Sequence, residues 1–340
     1  MKILVVEPFG EKGHINSNTF FLKALGEIGD VTLATFEGYQ KNFVVEKRLC
    51  VPDKFRPLDC TKIGAYMGQL KLLRHIRKHL NIRDFDVVFF LCYENISIAL
   101  SWPRSIPAFL FDHNNVDSIF TSPVKRFIYK HIPKNAIHLA YMDYIVDYIK
   151  EHFKRQAWLI THPYYRKTFD NTPAADNLSI PERAKGRKVI FSPSGSNNPE
   201  IVEKLKSFVL RSKRFYLVAK SKLKEKGDDF EFRPFFDDYE EHMLGCDYVF
   251  FGGRYDYRVS GIVFEALSFR KPAVVLDCVF AQELKKIYPH SIIPMRDVSE
   301  IEFIELNQKE IYREHKRFLT EHSYDRIKSE LVQAFHSSLA

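Results

Sequence analysis

The sequence predicts an α/β protein made of two Rossmann-like, doubly wound parallel-sheet domains facing a cleft. Three observations lead there. Apolar runs of strand length alternate with helix-length amphipathic stretches over nearly the whole chain, and such alternation builds parallel sheets covered by helices on both faces. The alternation is interrupted once, at residues 169–187, FDNTPAADNLSIPERAKGR, which are rich in Pro, Asn, Asp and Ala and carry no apolar period, as a linker does. The length, 340 residues, suits about two domains. The expected partition is an N-terminal domain over 1–168, a linker over 169–187, a C-terminal domain over 188–318, and a terminal helix over 319–340 that returns to the N-terminal domain.

Taken in order, residues 2–6 read as an apolar strand, followed by a glycine-bearing loop over 8–18, a helix over 19–28 closed by Gly29-Asp30, and a second strand over 31–35. This is a βαβ unit. A basic helix is expected over 71–80, strands over 86–92 and 108–111, a helix over 140–153 and a short strand over 157–160. Beyond the linker, strands are expected at 188–191, 215–219, 230–233, 248–251 and 273–276. Helices are expected at 199–211, 239–244 and 261–269, with one long charged helix over 308–338.

Composition narrows the class. The chain is 45% hydrophobic and 28% charged, with 30 phenylalanines, which excludes a disordered or low-complexity protein. The five cysteines are scattered, odd in number and without metal-ligand spacing, so a reducing cytosol is expected. The apolar run of MKILVVEPFG stops at Glu7, too short for a signal peptide, and no apolar run approaches the ~20 residues of a membrane span. A formal charge of +8 admits nucleic acid, an anionic membrane surface or anionic small molecules as partners. Nucleic acid ranks low, because the basic residues are dispersed among acids and no reading module is visible.

In open α/β sheets, ligands sit beyond the carboxyl ends of the strands, so the loops there are the candidate sites. The loop GGRYDYRVSG ends on the helix at 261–269. Helix-start amides lack intrahelical partners and favour anions. Ser260 and Gly261 are small enough for a phosphate to approach, Arg254 supplies charge, and Glu265, about one turn in, can accept from paired sugar hydroxyls. The plainer account makes Ser260 an N-cap and Glu265 a dipole complement. The loop SPSGSNNPE places Ser194, Gly195, Ser196 and Asn197 at another helix start, as a second anion cradle or merely a serine-rich turn. Lys220, just past a strand, reaches a diphosphate as a point charge or is an ordinary surface lysine. In the first half, Gly10, Gly13 and His14 follow the first strand, without the dinucleotide spacing GxGxxG. Asp112, His113 and Asn115 follow the strand at 108–111 and are expected to point into the cleft. No DxD-type pair marks a metal, and no cofactor is expected.

Together, EPFGEKGHIN, FDHN and the block CDYVFF with EALSFRKPAVV resemble a GT-B-type glycosyltransferase. In particular they resemble the retaining "group one" family of bacterial surface polysaccharide synthesis, over nearly the whole chain. The resemblance implies that Glu265 binds the nucleotide ribose, that Ser260 and Gly261 hold the diphosphate, that His113 lies beside the donor sugar and that Gly13 lies near donor and acceptor. It depends on two departures. Tyr257 stands where the family has its first glutamate, and the family's arginine and lysine after the first strand of the second domain are missing, leaving Lys220 or Arg254 to supply the charge. The implied activity is transfer of a sugar from a nucleotide-diphosphate sugar, UDP-linked by expectation, to a saccharide or lipid-linked acceptor, in the cytoplasm and with the inner membrane face as a further partner. A basic helix with Tyr66, Leu70, Leu73, Ile76 and Leu80 on one face, and the cluster Lys125, Arg126, Lys130 and Lys134, are the candidates for that membrane contact, or the helix is an ordinary surface helix with its apolar face on the sheet. The alternatives are an epimerase or hydrolase of the same build, or a non-catalytic nucleotide-sugar-binding protein.

Overall fold

A computed structural model describes residues 1–10, 12–56, 62–103, 105–164, 184, 186–195 and 198–339. Most of the expected linker, 169–187, and Ser196 and Asn197 of the serine-rich loop lie outside the described residues. The chain divides into two compact units. The first comprises Met1–Pro163, Tyr257–Val259 and His322–Ala340, and the second Tyr164–Asp256 and Ser260–Glu321.

The first unit runs β1 (Lys2–Val6), α1 (Ile15–Ile28), β2 (Asp30–Phe36), α2 (Glu37–Gln40), β3 (Lys47–Val51), α3 (Lys62–His79), β4 (Val87–Phe90), α4 (Asn95–Ser101), β5 (Ala108–Phe111), α5 (Pro123–Lys130), β6 (Ala136–Ala140), α6 (Asp143–Phe153) and β7 (Ala157–Leu159). The seven strands pair in the order β3-β2-β1-β4-β5-β6-β7, all parallel. The chain winds outward from β1 in one direction and then, from β4, in the other. That reversal leaves a crevice at the carboxyl ends of β1 and β4. β4 and β5 are buried along their whole length, which is why they read as continuous apolar runs rather than alternating ones.

The second unit runs β8 (Lys188–Ser192), α7 (Pro199–Ser212), β9 (Phe215–Lys220), β10 (Glu225–Lys226), β11 (Phe230–Arg233), α8 (Tyr239–Gly245), β12 (Tyr248–Phe251), α9 (Gly261–Ser268), β13 (Ala273–Leu276), α10 (Val279–Ile287), β14 (Ile292–Met295) and α11 (Gln308–Glu321). Its sheet order is β10-β11-β9-β8-β12-β13-β14, with the winding reversed between β8 and β12. All pairs are parallel except the short edge strand β10, which is antiparallel to β11. The core under this sheet packs Leu205, Phe208 and Val209 of α7 on Ile190, Leu217 and Phe250.

Several elements differ from expectation. The helix expected from 140 begins only at Asp143, and Ala136–Ala140 is a strand. His138 interrupts the apolar run there, but it is fully buried, with Nδ1 2.8 Å from Asp112 Oδ2. The long C-terminal helix is two: α11, and α12 (Tyr324–Leu339) in the first unit, parted at His322-Ser323. Of the apolar face weighed for a bilayer or for the sheet, Leu73 and Ile76 are buried in the first unit, and Tyr66, Leu70 and Leu80 are half-buried. Among the described residues no helix is long and apolar enough to cross a membrane.

Candidate functional site

In the second unit the loops beyond β8, β9 and β12 converge at the winding reversal. Gly195 is packed so tightly that an added Cβ would stand 2.6 Å from the Lys220 carbonyl oxygen and 2.7 Å from Val202 Cγ2. The loop after β8 therefore lies directly on the end of β9. Asn198 ties this loop to the next: its Oδ1 accepts from the Ile201 amide and caps α7, while its Nδ2 donates to the Gly252 carbonyl at 3.0 Å. The sequence reading missed Asn198, although Asn-Pro at a helix start is a capping signature. Ser194 is buried, and Ser192 Oγ, also buried, has no partner among the described residues. Lys220 is half-buried and Arg254 exposed. Neither side chain makes an ion pair among the described residues, so both charges remain available to an anion.

The loop after β12 is anchored by backbone bonds at the start of α10, where the Phe280 amide donates to the Tyr255 carbonyl and the Val279 amide to Asp256 Oδ1. It then enters α9 through Ser260. That serine is buried, and its side chain makes no capping bond. The plain capping account therefore fails for its hydroxyl. Glu265 is not in the first turn of α9, and a dipole complement loses its value beyond that turn. Its carboxylate accepts from the Tyr239 hydroxyl at 2.5 Å through Oε2. Burial raises the Glu265 carboxyl above its ordinary range, while the Tyr239 bond pulls the other way. Oε1 has no hydrogen-bond partner among the described residues. Tyr239 itself was not singled out from sequence.

In the first unit, the loop after β1 is braced by Glu7, whose carboxylate accepts from the amides of Phe9 (3.0 Å) and Gly10 (3.1 Å), from Asn18 Nδ2 (3.0 Å) and from the Cys92 thiol (3.2 Å). Gly10 has φ +64°, a conformation that favours glycine. Glu7, His14 and Cys92 bring a carboxylate oxygen, a ring nitrogen and a thiol within 4.8 Å of one another. With the carboxylate already saturated by four donors, this trio reads as the brace of the turn. Gly13 is exposed, and a Cβ there would meet nothing within 4 Å, so nothing in the fold itself calls for glycine at that position.

His113 stacks on His14 with ring centroids 5.1 Å apart and planes at 14°. Its Nε2 lies 2.8 Å from the Leu91 carbonyl oxygen. A carbonyl only accepts, so Nε2 carries the proton and Nδ1 is the acceptor. Burial, then the neighbouring His14 and Arg258, push the His113 pKa down to about 3, and the ring is neutral at physiological pH. Two residues expected to point outward are taken up inside. Asn115 Nδ2 donates to the Tyr93 carbonyl and to Asn95 Oδ1. Asp112 accepts from the hydroxyls of Tyr93 and Tyr129 and pairs with His138. Tyr257, at the place of an expected glutamate, also packs in the first unit. Its amide donates to Asp117 Oδ1 at 3.0 Å, and its ring stacks on Phe120 at 4.5 Å and packs against Tyr148 at 4.6 Å.

Two parallel sheets wound in this way define the GT-B fold, and solved structures of that fold match along nearly the full length. Sucrose-phosphate synthase from Thermosynechococcus elongatus matches with a TM-score of 0.76 at 11% identity, covering 99% of each chain. Anabaena HepE in complex with UDP-glucose matches with a TM-score of 0.71 at 12% identity, covering 99% of this chain and 100% of that one. A UDP-N-acetylglucosamine 2-epimerase matches with a TM-score of 0.60 at 13% identity, covering 100% and 97%. No protein-family model and no curated protein matches the sequence. At these identities the likeness establishes the fold.

Proposed function

We propose that this protein is a glycosyltransferase that moves a sugar from a nucleotide-diphosphate sugar, UDP-linked, to the hydroxyl of a saccharide or lipid-linked saccharide, with retention, in glycoconjugate synthesis. The observation that carries the reading is Glu265. It is a half-buried carboxylate held by Tyr239 through one oxygen, one turn into a helix whose first amides and uncapped Ser260 border the winding reversal. A ribose has two adjacent hydroxyls to donate, and the diphosphate then falls on the amides of Gly261 and Ile262. Lys220 and Arg254 supply countercharge, and Gly195 lets the loop after β8 lie on the end of β9 beside Lys220. HepE, of the same fold, is described in complex with UDP-glucose, which supports a uridine nucleotide.

In the transfer, the bond from the sugar's anomeric carbon to the β-phosphate oxygen breaks and a bond to the acceptor oxygen forms. The acceptor proton passes to the leaving phosphate. The chain's contribution is to stabilise the charge growing on that oxygen with preorganised amides and cations. His113, neutral and with Nδ1 free to accept under its fixed tautomer, is suited to a sugar hydroxyl rather than to proton transfer. Tyr257 serves as an aromatic anchor for its loop. The epimerase among the structural matches keeps one rival in view, which product analysis with and without acceptor separates.

Calorimetric titration of UDP into wild type and Glu265→Ala tests the site. Wild type is expected to bind, and the variant to lose about 1–3 kcal/mol, as for a lost hydrogen bond to a charged group. Equal affinities would remove Glu265 from the site, and a wild type that binds none of UDP, GDP, ADP or TDP would overturn the reading.

A further inference from the structure

The amino ends of β5, β6 and β7 border a cavity of about 630 Å³ in the first unit. Pro107, Asn135 and Gln156, each the residue before one of those strands, line it. It therefore lies on the edge of the sheet opposite to His113, roughly 13 Å away by the length of a four-residue strand, and the donor loops belong to the second unit.

Its charge is one-sided. Lys130, Lys134, Lys154, Arg155 and His152 line it, and among the described residues no carboxylate does. Cations beside the ends of α5 and α6 are expected to some degree, since helix C-termini favour them. Arg155 fits that account, with Nη2 donating to the carbonyls of Lys130 and Ile132. Yet its Nη1 is buried and without a partner among the described residues. The ammonium groups of Lys130, Lys134 and Lys154 form no ion pair or hydrogen bond there either. Lys154 ends α6 in the left-handed conformation, φ 52°, which glycine adopts at lower cost. Lys213 ends α7 in the same conformation, φ 57°, but pairs with Asp229. The unpaired lysine at the cavity is the exception.

We propose that this cavity is a second anion site, for a phosphate-bearing ligand. Four cations, three of them exposed lysines, line a volume within the range of small-molecule pockets, and Arg155 offers a planar donor edge matched to phosphate oxygens. Ile137 and Phe153 supply an apolar wall for the organic part. The phosphate arrives on a soluble metabolite or on a lipid headgroup. The membrane charge expected of Lys130 and Lys134 is thereby assigned to a defined cavity.

The test uses the full chain saturated with UDP, titrated calorimetrically with inorganic pyrophosphate. Lys134→Gln/Lys154→Gln is expected to weaken binding at least about fivefold, as loss of two partly exposed charges does. Lys134→Arg/Lys154→Arg is expected to retain it, and Lys309→Gln, at an exposed position of the other unit, to leave it unchanged. In parallel, pelleting with phosphatidylcholine vesicles with and without phosphatidic acid reads the source. Pyrophosphate binding without pelleting assigns a soluble ligand. Pelleting that requires phosphatidic acid, is competed by pyrophosphate and is lost in the glutamine variant assigns the headgroup. Thermal melts confirm that the variants fold. If pyrophosphate affinity is the same in the folded glutamine variant as in wild type, or if wild type binds neither probe, the proposal is overturned.

Discussion

Glu265 is under two opposing influences: burial favours its protonated form, and the Tyr239 hydroxyl favours the carboxylate. Only the carboxylate can accept from both hydroxyls of a ribose. UDP affinity is therefore expected to fall as pH drops through the raised Glu265 pKa. Tyr239→Phe removes the influence that lowers that pKa, so in this variant the fall should begin at higher pH. The ratio of wild-type to variant affinity, measured by calorimetry from about pH 8 to about pH 5, cancels the titration of UDP's own phosphate. A ratio independent of pH would show that the Tyr239 bond does not set the protonation of Glu265. Tyr239 is 26 residues from Glu265 in sequence, which explains why spacing could mark the glutamate and not its partner. The same limit misled the reading of Asp112 and Asn115. Sequence placed them correctly after a strand, but their bonds to Tyr93, Tyr129, His138 and Asn95 arise only from the packing of distant elements.

At the scale of elements, α12 shows how a terminal segment completes a core. Ile327, Leu331 and Phe335 are buried, and Phe335 meets Phe109 edge-on at 4.5 Å and Phe89 at 6.2 Å. Glu330 accepts from the Thr161 amide and hydroxyl, and Trp158 Nε1 donates to Ser338 Oγ. Phe335→Ala is expected to cost about 3–5 kcal/mol, and truncation after Glu321 to prevent the first unit from folding. Because Trp158 bonds α12 directly, tryptophan emission during denaturant unfolding checks both. An unchanged midpoint in Phe335→Ala would mean that α12 adds little to this core. The strands legible in sequence were mostly apolar along their length, with β11, FEFR, read from its alternation. Those missed were masked by polar or ring-constrained residues: His138 in β6, Lys47 and Arg48 in the exposed β3, and Pro294 in β14. The break between α11 and α12 carries neither Gly nor Pro. It is fixed instead by His322, whose Nδ1 bonds the His162 carbonyl, a contact invisible to local pattern.

At the scale of the whole molecule, the two units differ in their response to acid. Burial holds His113 and His162 down to about 3 and His322 down to about 4, and all three belong to the first unit. In the unfolded chain they titrate near 6.5. At about pH 5 the unfolded state thus binds protons that the folded state refuses. Stability from these groups is present above about 6.5 and is lost as pH falls toward 3–4. Each contributes on the order of 2 kcal/mol between neutrality and pH 5, less where the rings are partly solvated. Glu94 and Asp143, raised by burial, act in the opposite sense, because a raised carboxyl favours the fold at low pH. In the second unit His242 is lowered as well, and Glu265, raised, opposes it. The acid-sensitive unit should therefore be the first, and the protein carries its own reporter. Both tryptophans, Trp102 and Trp158, lie in that unit. On going from about pH 7.5 to about pH 5, the thermal transition seen by tryptophan emission should fall and separate from the remaining loss of far-UV ellipticity. His322→Gln, which keeps a donor for the His162 carbonyl without a titrating ring, should reduce that fall. A tryptophan transition that holds its midpoint across this interval would show that these histidines do not govern the acid response.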